Sequence, residues 1–255
     1  MAAFKILLVL SLAVIYSNGQ AAEKDNLLTA PEYIIPCSRS DPDLDNCIKS
    51  SFNHLRPYLA RGLPDLDIPP VEPLYVDKLL MENNAGPVRV TAAFTNITVL
   101  GPSNYTVNKV RSDLQKLRMD IAFSLPRIEL SGLYEVSGQV LLFPVRSRGD
   151  FWAVFGDVVA IAKIYGKEFE RDGVRYMSVD RLLADFKLKT SRFKVRDTVN
   201  HGSVIGEAMN QFLNNNAAEI IEEMKPAASI AISKFFKTFL NSAFSKIPIN
   251  VWLTA

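Results

Sequence analysis

Hydrophobic and polar residues alternate along the middle of the chain, over residues 87–199. Within 88–95, valine, alanine and phenylalanine alternate with arginine and threonine, and residues 117–125 repeat the pattern. A period of two places successive side chains on opposite faces of a strand, so one face here is apolar and the other polar. The pattern predicts antiparallel strands with water on one side. Residues 154–165 are more uniformly apolar, which predicts a strand that is either covered on both faces or central in its sheet.

The apolar spacing changes to steps of three and four near the C-terminus, over residues 216–246. Such steps describe one wide apolar stripe along a helix, and they continue for 31 residues. An unbroken helix of that length would be roughly 46 Å long. Pro226 removes a backbone donor, so we expect the helix to kink or divide there. Only an elongated domain wrapped around such a helix would bury its whole length.

Two shorter segments precede the alternating region. Apolar residues within 45–59 recur at helical spacing, and Gly62 follows where such a helix would end. Residues 63–77 contain four prolines, which cannot donate into a strand ladder. We therefore expect a helix over 45–59 and an extended run over the protein surface for 63–77.

Together these segments predict an α+β fold, in which a long curved antiparallel sheet is followed by one long apolar helix. No linker interrupts the pattern, so residues 20–255 are assigned to a single domain.

The first 19 residues have a different character. Lys5 precedes an apolar run at residues 6–16, and small and polar residues follow it. This order is typical of a secretory signal peptide, and the run is well short of the roughly 20 residues of a membrane span. We interpret residues 1–19 as a signal peptide, with a membrane anchor as the alternative. The interpretation predicts a secreted, extracellular protein without stable membrane insertion.

Charge and cysteine content narrow the class further. The chain has 29 Lys plus Arg against 27 Asp plus Glu, and this balance argues against a nucleic-acid partner. A short basic run from Lys187 to Arg196 alternates with apolar residues, which predicts the wet face of a strand, with a patch for anionic membranes as the alternative. Cys37 and Cys47 are expected to form a disulfide, because two such close cysteines pair in secreted proteins.

Modification and catalytic motifs are few. Asn96 and Asn104 each begin an N-x-S/T triplet, which makes both candidate glycosylation sites if they lie on the surface. The sequence lacks the G-x-S-x-G, P-loop and G-x-G-x-x-G motifs, and its two histidines, His54 and His201, have no metal-ligand spacing. We therefore predict that the protein is not an enzyme and holds no metal or cofactor.

The aromatic content leaves two interpretations open. The chain has 15 Phe and 8 Tyr, many of them on the predicted inward face of the sheet or on the helix stripe. They could form an ordinary packed core, or they could line a long apolar pocket between sheet and helix. Periodicity does not separate these two interpretations.

Several motifs together resemble those of a known family. The pair Cys37 and Cys47 is followed by a proline-rich motif at 62–74 (GLPDLDIPPVEPL) and a strand and turn at 96–101 (NITVLG). Motifs near the predicted C-terminal helix complete the pattern: LNNN at 213–216, EMKP at 223–226 and FSKIP at 244–248. From about Pro36 to the C-terminus the chain resembles the Takeout and juvenile-hormone-binding proteins of insects. Residues 197–202 and Ala217 depart from the family pattern, which affects the local shape at the start of the helix.

The resemblance implies a long C-terminal helix wrapped by a strongly curved antiparallel sheet that encloses an apolar tunnel. It implies a carrier without catalytic activity, whose partner is a terpenoid hormone, a fatty acid or a similar lipid. No ligand motif can be transferred residue by residue, so the candidate lining follows from the predicted faces. These candidates are Phe94, Phe123, Tyr134, Phe143, Phe155, Phe235 and Phe239.

Two other functions stay open at this point. The protein could act through its surface as a secreted interaction or signalling protein with a packed core and no ligand. It could also be a lipid-transfer protein that docks on membranes, although its near-zero net charge counts against strong binding to anionic lipid. We expect a monomer.

Overall fold

The computed structural model describes residues 30–140, 142–199 and 203–255, to which the following account refers. The predicted signal peptide and His201 lie outside the described residues. Nine strands are present: β1 (Cys37–Ser38), β2 (Leu74–Asn83), β3 (Val88–Leu100), β4 (Thr106–Asp113), β5 (Arg118–Val140), β6 (Phe143–Arg171), β7 (Val174–Lys187), β8 (Thr190–Asp197) and β9 (Leu253–Thr254). The α-helices are α1 (Leu44–Arg61), α2 (Ser203–Asn215), α3 (Ala217–Phe244) and α4 (Ile249–Trp252), and short 3₁₀ turns occupy Pro64–Leu66 and Pro102–Asn104.

Two long strands, β5 and β6, form the spine of an antiparallel sheet of seven strands. They pair along almost their whole length, from Arg118 opposite Tyr165 to Val140 opposite Phe143. Strands β4 and β3 pair one after the other along the free edge of β5. Strands β7 and β8 pair in the same way along the free edge of β6. Strand β2 pairs with β3 and completes the sheet. The sheet therefore has two halves along its length, one flanked by β4 and β7 and the other by β2, β3 and β8.

The inward face of β6 changes where these halves meet. On one side of Asp157 the buried positions are Val158 and Ile164, and on the other side they are Ser147 and Ala153. Asp157 has a φ of 49°, in the left-handed region that few non-glycine residues adopt. The alternation shifts near this residue, so the buried side chains of β6 are even-numbered in one half and odd-numbered in the other.

Helix α3 shows how strongly the sheet curls. The helix contacts β2 and β7, which lie at opposite ends of the strand order β2-β3-β5-β6-β7. A flat sheet of this width could not touch one helix with both edges, so the sheet must wrap around α3. The predicted α+β architecture, a long C-terminal helix held by a curved antiparallel sheet, is confirmed.

Asparagine side chains fasten the helices to the strand edges. Asn53 of α1 accepts a hydrogen bond from the N–H of Val107 in β4 and donates one to the carbonyl of the same residue. Asn241 of α3 does the same at Val179 in β7, with distances of 2.6 and 3.1 Å. Asn210 and Asn214 of α2 repeat the arrangement along β8. Each amide occupies the place of a neighbouring strand, so the edge groups are satisfied and shielded from pairing with another chain.

The proline-rich segment differs from its prediction. Residues 63–77 were expected to run extended over the surface, but Leu63, Ile68 and Val71 are buried and a 3₁₀ turn interrupts the segment. The apolar residues between the prolines provide the reason, because burying them outweighs the preference of proline for solvent. Glu72 then ties the segment to the sheet, since its carboxylate accepts from the N–H groups of Gly101 and Ser103 and from the Ser103 hydroxyl.

The disulfide-bonded segment after residue 30 lies next to the C-terminal residues. Cys37 and Cys47 form the predicted disulfide, which joins β1 to α1. Strand β1 pairs in parallel with β9, so Cys37 lies opposite Leu253 near the C-terminus.

The predicted helices are present, with two differences. Helix α1 covers the predicted segment 45–59 and stops at Gly62, whose φ is 83°. Helix α3 continues through Pro226 without dividing. A surrounding tertiary fold can hold a helix across a proline when the strands packed along the helix fix both sides. Helix α2 and strand β2 were not predicted.

Candidate functional site

Four phenylalanines meet between α3 and the half of the sheet formed by β2, β3 and β8. Phe94 of β3 and Phe151 of β6 make an edge-to-face contact with ring centroids 5.1 Å apart. Phe235 and Phe239 lie one turn apart on α3 and stack at 6.5 Å. All four contact the same buried apolar group, together with Ile128 and Leu130 of β5. We call Phe94, Phe151, Phe235 and Phe239 the aromatic cluster.

The aromatic cluster is incompletely buried, although sheet and helix face it from both sides. Each of its four rings remains half-buried, as do Ile128 and Leu130. Large aromatic side chains in a well-packed interior leave little surface accessible. Within the described residues, Val179 is the largest side chain exposed by less than 2%, and it belongs to the other half of the sheet. The large apolar side chains between α3 and this half of the sheet are therefore less completely buried than the core of the other half.

A polar chain of three side chains lies beside the aromatic cluster. Tyr134, which is opposite Phe94 in the register of β5 and β3, is 7% exposed. Its hydroxyl lies 2.8 Å from Ser147 Oγ, and the Ser147 hydroxyl donates to Asp197 Oδ2 at 2.8 Å. Burial raises the pKa of Tyr134, and this effect outweighs the hydrogen bond with Ser147, which lowers it. The phenol therefore stays protonated at physiological pH.

The predicted lining residues fall into separate places. Phe94, Phe235 and Phe239 come together in the aromatic cluster, and Tyr134 lies next to them. Phe155 contacts Phe193 of β8 edge to face at 5.7 Å. Phe123 packs in the other half of the sheet, against Ile121, Val110 and their neighbours. Phe143 is the first residue of β6, and its side chain lies outside the described part of the structure.

Face assignment from sequence missed several residues at this site. Phe151 has the same parity as Phe155 on β6, so the alternation itself could have identified it. Ser147 and Asp197 carried no such signal, because a lone serine and aspartate on a strand usually mark the wet face. Ser147 is nevertheless 3% exposed.

An open groove of about 940 Å³ lies between β8 and α2. Its walls include Trp152, Phe193, Lys194, Glu207 and also Asp197, the last member of the polar chain. None of the predicted lining residues contributes to it. The groove is open to solvent and mixes charged with apolar side chains, whereas the aromatic cluster presents apolar side chains between two elements of the fold.

Charged side chains in the described structure pair on outward-facing positions. Arg118 binds Asp120 through two nitrogens, at 2.9 and 2.6 Å, and this hydrogen bonding lowers the pKa of the Asp120 carboxyl. Trp152 donates to Glu129 at 2.7 Å and, with Arg127, lowers the pKa of that carboxyl. The basic run from Lys187 to Arg196 is also exposed, as the alternation predicted.

Other sequence expectations concern the surface. Asn96 and Asn104, which begin the two glycosylation triplets, are both exposed. Over the described ranges, none of the helices has the length and apolar content that a bilayer crossing requires. The same ranges contain no group of three or more His, Cys, Asp or Glu side chains placed to hold a metal.

The wrapped helix and its sheet define a Takeout-type fold. The chain matches the crystal structure of Takeout 1 from Epiphyas postvittana with a TM-score of 0.72 and 20% identity, covering 87% of this chain and 100% of that one. The chain belongs to the haemolymph juvenile hormone binding protein (JHBP) family, whose model matches residues 7–254.

Known relatives are distant in sequence but similar in extent. The circadian clock-controlled protein daywake of Drosophila yakuba is 21% identical over 228 residues, which cover 86% of this chain and 88% of the relative. A protein of Schistocerca gregaria, provisionally named for beta-carotene binding, is 20% identical over 189 residues, 73% of this chain and 74% of that protein.

Proposed function

We propose that this protein is a secreted carrier that binds one small hydrophobic molecule, such as a terpenoid or a fatty acid, in a tunnel between α3 and the curled sheet. The observation that carries the proposal is the half-buried state of the aromatic cluster, which lies between two elements of the fold. A ligand in contact with these rings would remove their remaining apolar surface from water, a gain of roughly 25 cal/mol per Å² before association costs.

The relatives support the class of ligand. The matching family is described by juvenile hormone binding, and one relative's name refers to beta-carotene. Both molecules are apolar and elongated, as a site along a 28-residue helix requires. Six predicted lining residues have described side chains, and Phe94, Tyr134, Phe155, Phe235 and Phe239 lie in the half of the sheet that we assign to the ligand. Phe123 packs in the other half, so it is at most peripheral to the proposed tunnel.

Solvent extraction tests the carrier proposal. Purified protein would be extracted with an organic solvent, the extract analysed by mass spectrometry, and the delipidated protein titrated with the fluorescent apolar probe N-phenyl-1-naphthylamine. We expect a co-purified apolar molecule or saturable probe uptake at one site per chain. An empty extract combined with no saturable uptake would refute the proposal.

The proposal also includes secretion, glycosylation and a monomeric state. Expression in insect cells would test all three by the N-terminal sequence of protein recovered from the medium, by the mobility shift after enzymatic deglycosylation, and by light scattering after gel filtration. We expect a mature N-terminus after residue 19 or 21, glycans at Asn96 or Asn104, and the mass of one chain. Retention in the cell pellet would contradict the signal-peptide assignment.

A further inference from the structure

The polar chain beside the aromatic cluster has a fixed proton direction. An ionised carboxylate can only accept hydrogen bonds, so the bond between Ser147 and Asp197 must use the serine proton. A serine hydroxyl has one proton, and the carboxylate is a stronger acceptor than the Met209 sulfur 4.0 Å away. The 2.8 Å contact between Ser147 and Tyr134 must therefore use the tyrosine proton.

Because its proton is donated to Ser147, the Tyr134 oxygen can only accept hydrogen bonds from other groups. Its only proton is committed to Ser147, and within the described part of the chain Ser147 is the hydrogen-bond partner recorded for this oxygen, so a lone pair remains for another group. The ring is on the same face of β5 as Ile128 and Leu130, and its strand neighbour Phe94 belongs to the aromatic cluster. A polar group at the end of an apolar ligand would therefore meet an oxygen that accepts and cannot donate.

We propose that Tyr134 is a specificity-determining residue that selects apolar ligands with a hydroxyl donor at one end. The inference rests on the proposed carrier function and adds the chemistry of the ligand's polar end. A long-chain or terpenoid alcohol carries such a donor, and so does a protonated fatty acid. An ether, ester or epoxide offers only acceptors, so its oxygen would face the Tyr134 oxygen without a proton between them. Such an unmatched pair of acceptors loses a hydrogen bond and leaves polar atoms unsatisfied.

A matched pair of probes tests the selection. Dodecanol and its methyl ether have the same apolar chain and differ in the hydroxyl proton. Each would displace N-phenyl-1-naphthylamine from the protein, and the ratio of their dissociation constants would be compared. We expect dodecanol to bind about tenfold more tightly, which corresponds to about one buried hydrogen bond. Dodecanoic acid, titrated across pH 5 to 8, would show whether a protonated acid is accepted as well.

Two substitutions test whether Tyr134 and Ser147 cause the preference for the alcohol over the ether. Tyr134→Phe removes the acceptor, so the alcohol should bind more weakly, the ether should bind as well as before or better because its oxygen no longer faces another acceptor, and the preference should fall to about twofold or less. Ser147→Ala frees the tyrosine proton for the ligand, so ether affinity should rise and the preference should shrink or reverse. Tyr75→Phe, at a side chain 69% exposed, is the matched control and should leave both dissociation constants unchanged.

The outcomes separate this inference from the carrier proposal. If both probes bind the native protein equally, Tyr134 does not select a donor and the inference is wrong, although the carrier function stands. If neither probe nor any other apolar molecule binds, the carrier function itself fails. Ether affinity no weaker than in the native protein and a melting temperature within a few degrees of the native value would show that Tyr134→Phe has kept its fold.

Discussion

The two halves of the sheet bury their apolar side chains to different extents. In one half Val107, Val110, Ile121, Ile164, Val179 and Leu182 are each less than 7% exposed and close against α1 and the disulfide. We call this group the packed cluster. In the other half the aromatic cluster faces the same helix α3, yet its four rings stay half-buried. Both halves use the same strands β5 and β6, so the difference is not one of sheet geometry alone.

The side chains themselves explain the contrast. The packed cluster contains branched aliphatic residues that are almost fully buried, and α1 packs against β4. The aromatic cluster consists of large planar rings, of which Phe94 and Phe151 meet edge to face on the sheet while Phe235 and Phe239 stack on α3. We infer that one half supplies the stability that lets the other half remain incompletely filled, as a carrier site requires.

The largest expected effect comes from the packed cluster. Ile164→Ala should lower the free energy of unfolding by about 3 kcal/mol, because it opens a cavity where the surrounding side chains cannot collapse. Urea denaturation measures the change. Ile161→Ala, at an outward side chain of the same strand that is 43% exposed, should cost under about 1 kcal/mol. Equal losses at the two positions would mean that the half is not packed as described.

The disulfide supports the same half. Replacing Cys37 and Cys47 together by serine should lower the free energy of unfolding by roughly 2–3 kcal/mol, because a short loop of the unfolded chain is no longer closed. Urea denaturation of the variant and of the native protein with reductant should agree. Apolar probe affinity should change little. A loss of probe affinity that exceeds the loss of stability would link this end to the ligand.

Truncating a phenylalanine of the aromatic cluster should weaken probe binding clearly while lowering the stability of the fold only modestly. Phe235→Ala should cost only about 1–2 kcal/mol of stability, below the 3–5 kcal/mol of a fully packed phenylalanine, because its ring is half-buried in the native protein. The affinity for N-phenyl-1-naphthylamine should fall about tenfold. A stability loss above 3 kcal/mol with unchanged probe affinity would show a packed core in this half.

The smallest expected effect is a dependence on pH. The hydrogen bonds from Arg118 hold the pKa of Asp120 below its unfolded value, so the ionised carboxyl stabilises the fold above that unfolded value. The contribution should be lost as the pH falls through the lowered folded-state pKa. Because the pair is partly exposed, Asp120→Asn should cost less than about 1 kcal/mol at pH 7.

Urea denaturation of the native protein and Asp120→Asn at pH 7 and at pH 2 measures this dependence. The difference between the two should shrink at the lower pH, and the same substitution in an Arg118→Gln background should have little effect at either. A difference that grows on acidification would contradict the assigned sign.

Hydrophobic periodicity predicted the fold because the buried face of each strand and helix must be apolar. The alternation of residues 117–125 and the apolar stripe of α3 follow directly from which faces meet the interior. Strand β2 was missed because the prolines before it masked the start of a new element, and α2 because its amides, Asn210 and Asn214, look like loop residues. These two amides hydrogen-bond to the edge of β8 only in the folded protein, so no local sequence pattern reveals their role.

The site was less predictable than the fold. Sequence patterns identified Phe94, Phe235 and Phe239 as inward-facing residues, yet a packed and a half-filled interior share the same alternation. Phe123 has the same pattern but belongs to the other half, because it lies opposite Val107 of β4 and Ala160 of β6. Which half an inward residue joins depends on strand pairing, which hydrophobic periodicity does not reveal.

A crystal structure of the delipidated protein incubated with an apolar probe would be the decisive test of the carrier proposal. We predict electron density for one probe molecule between α3 and the sheet, in van der Waals contact with Phe94, Phe235 and Phe239. A structure in which these rings close against one another without space for a ligand, while the probe is absent or lies on the outer surface, would contradict it.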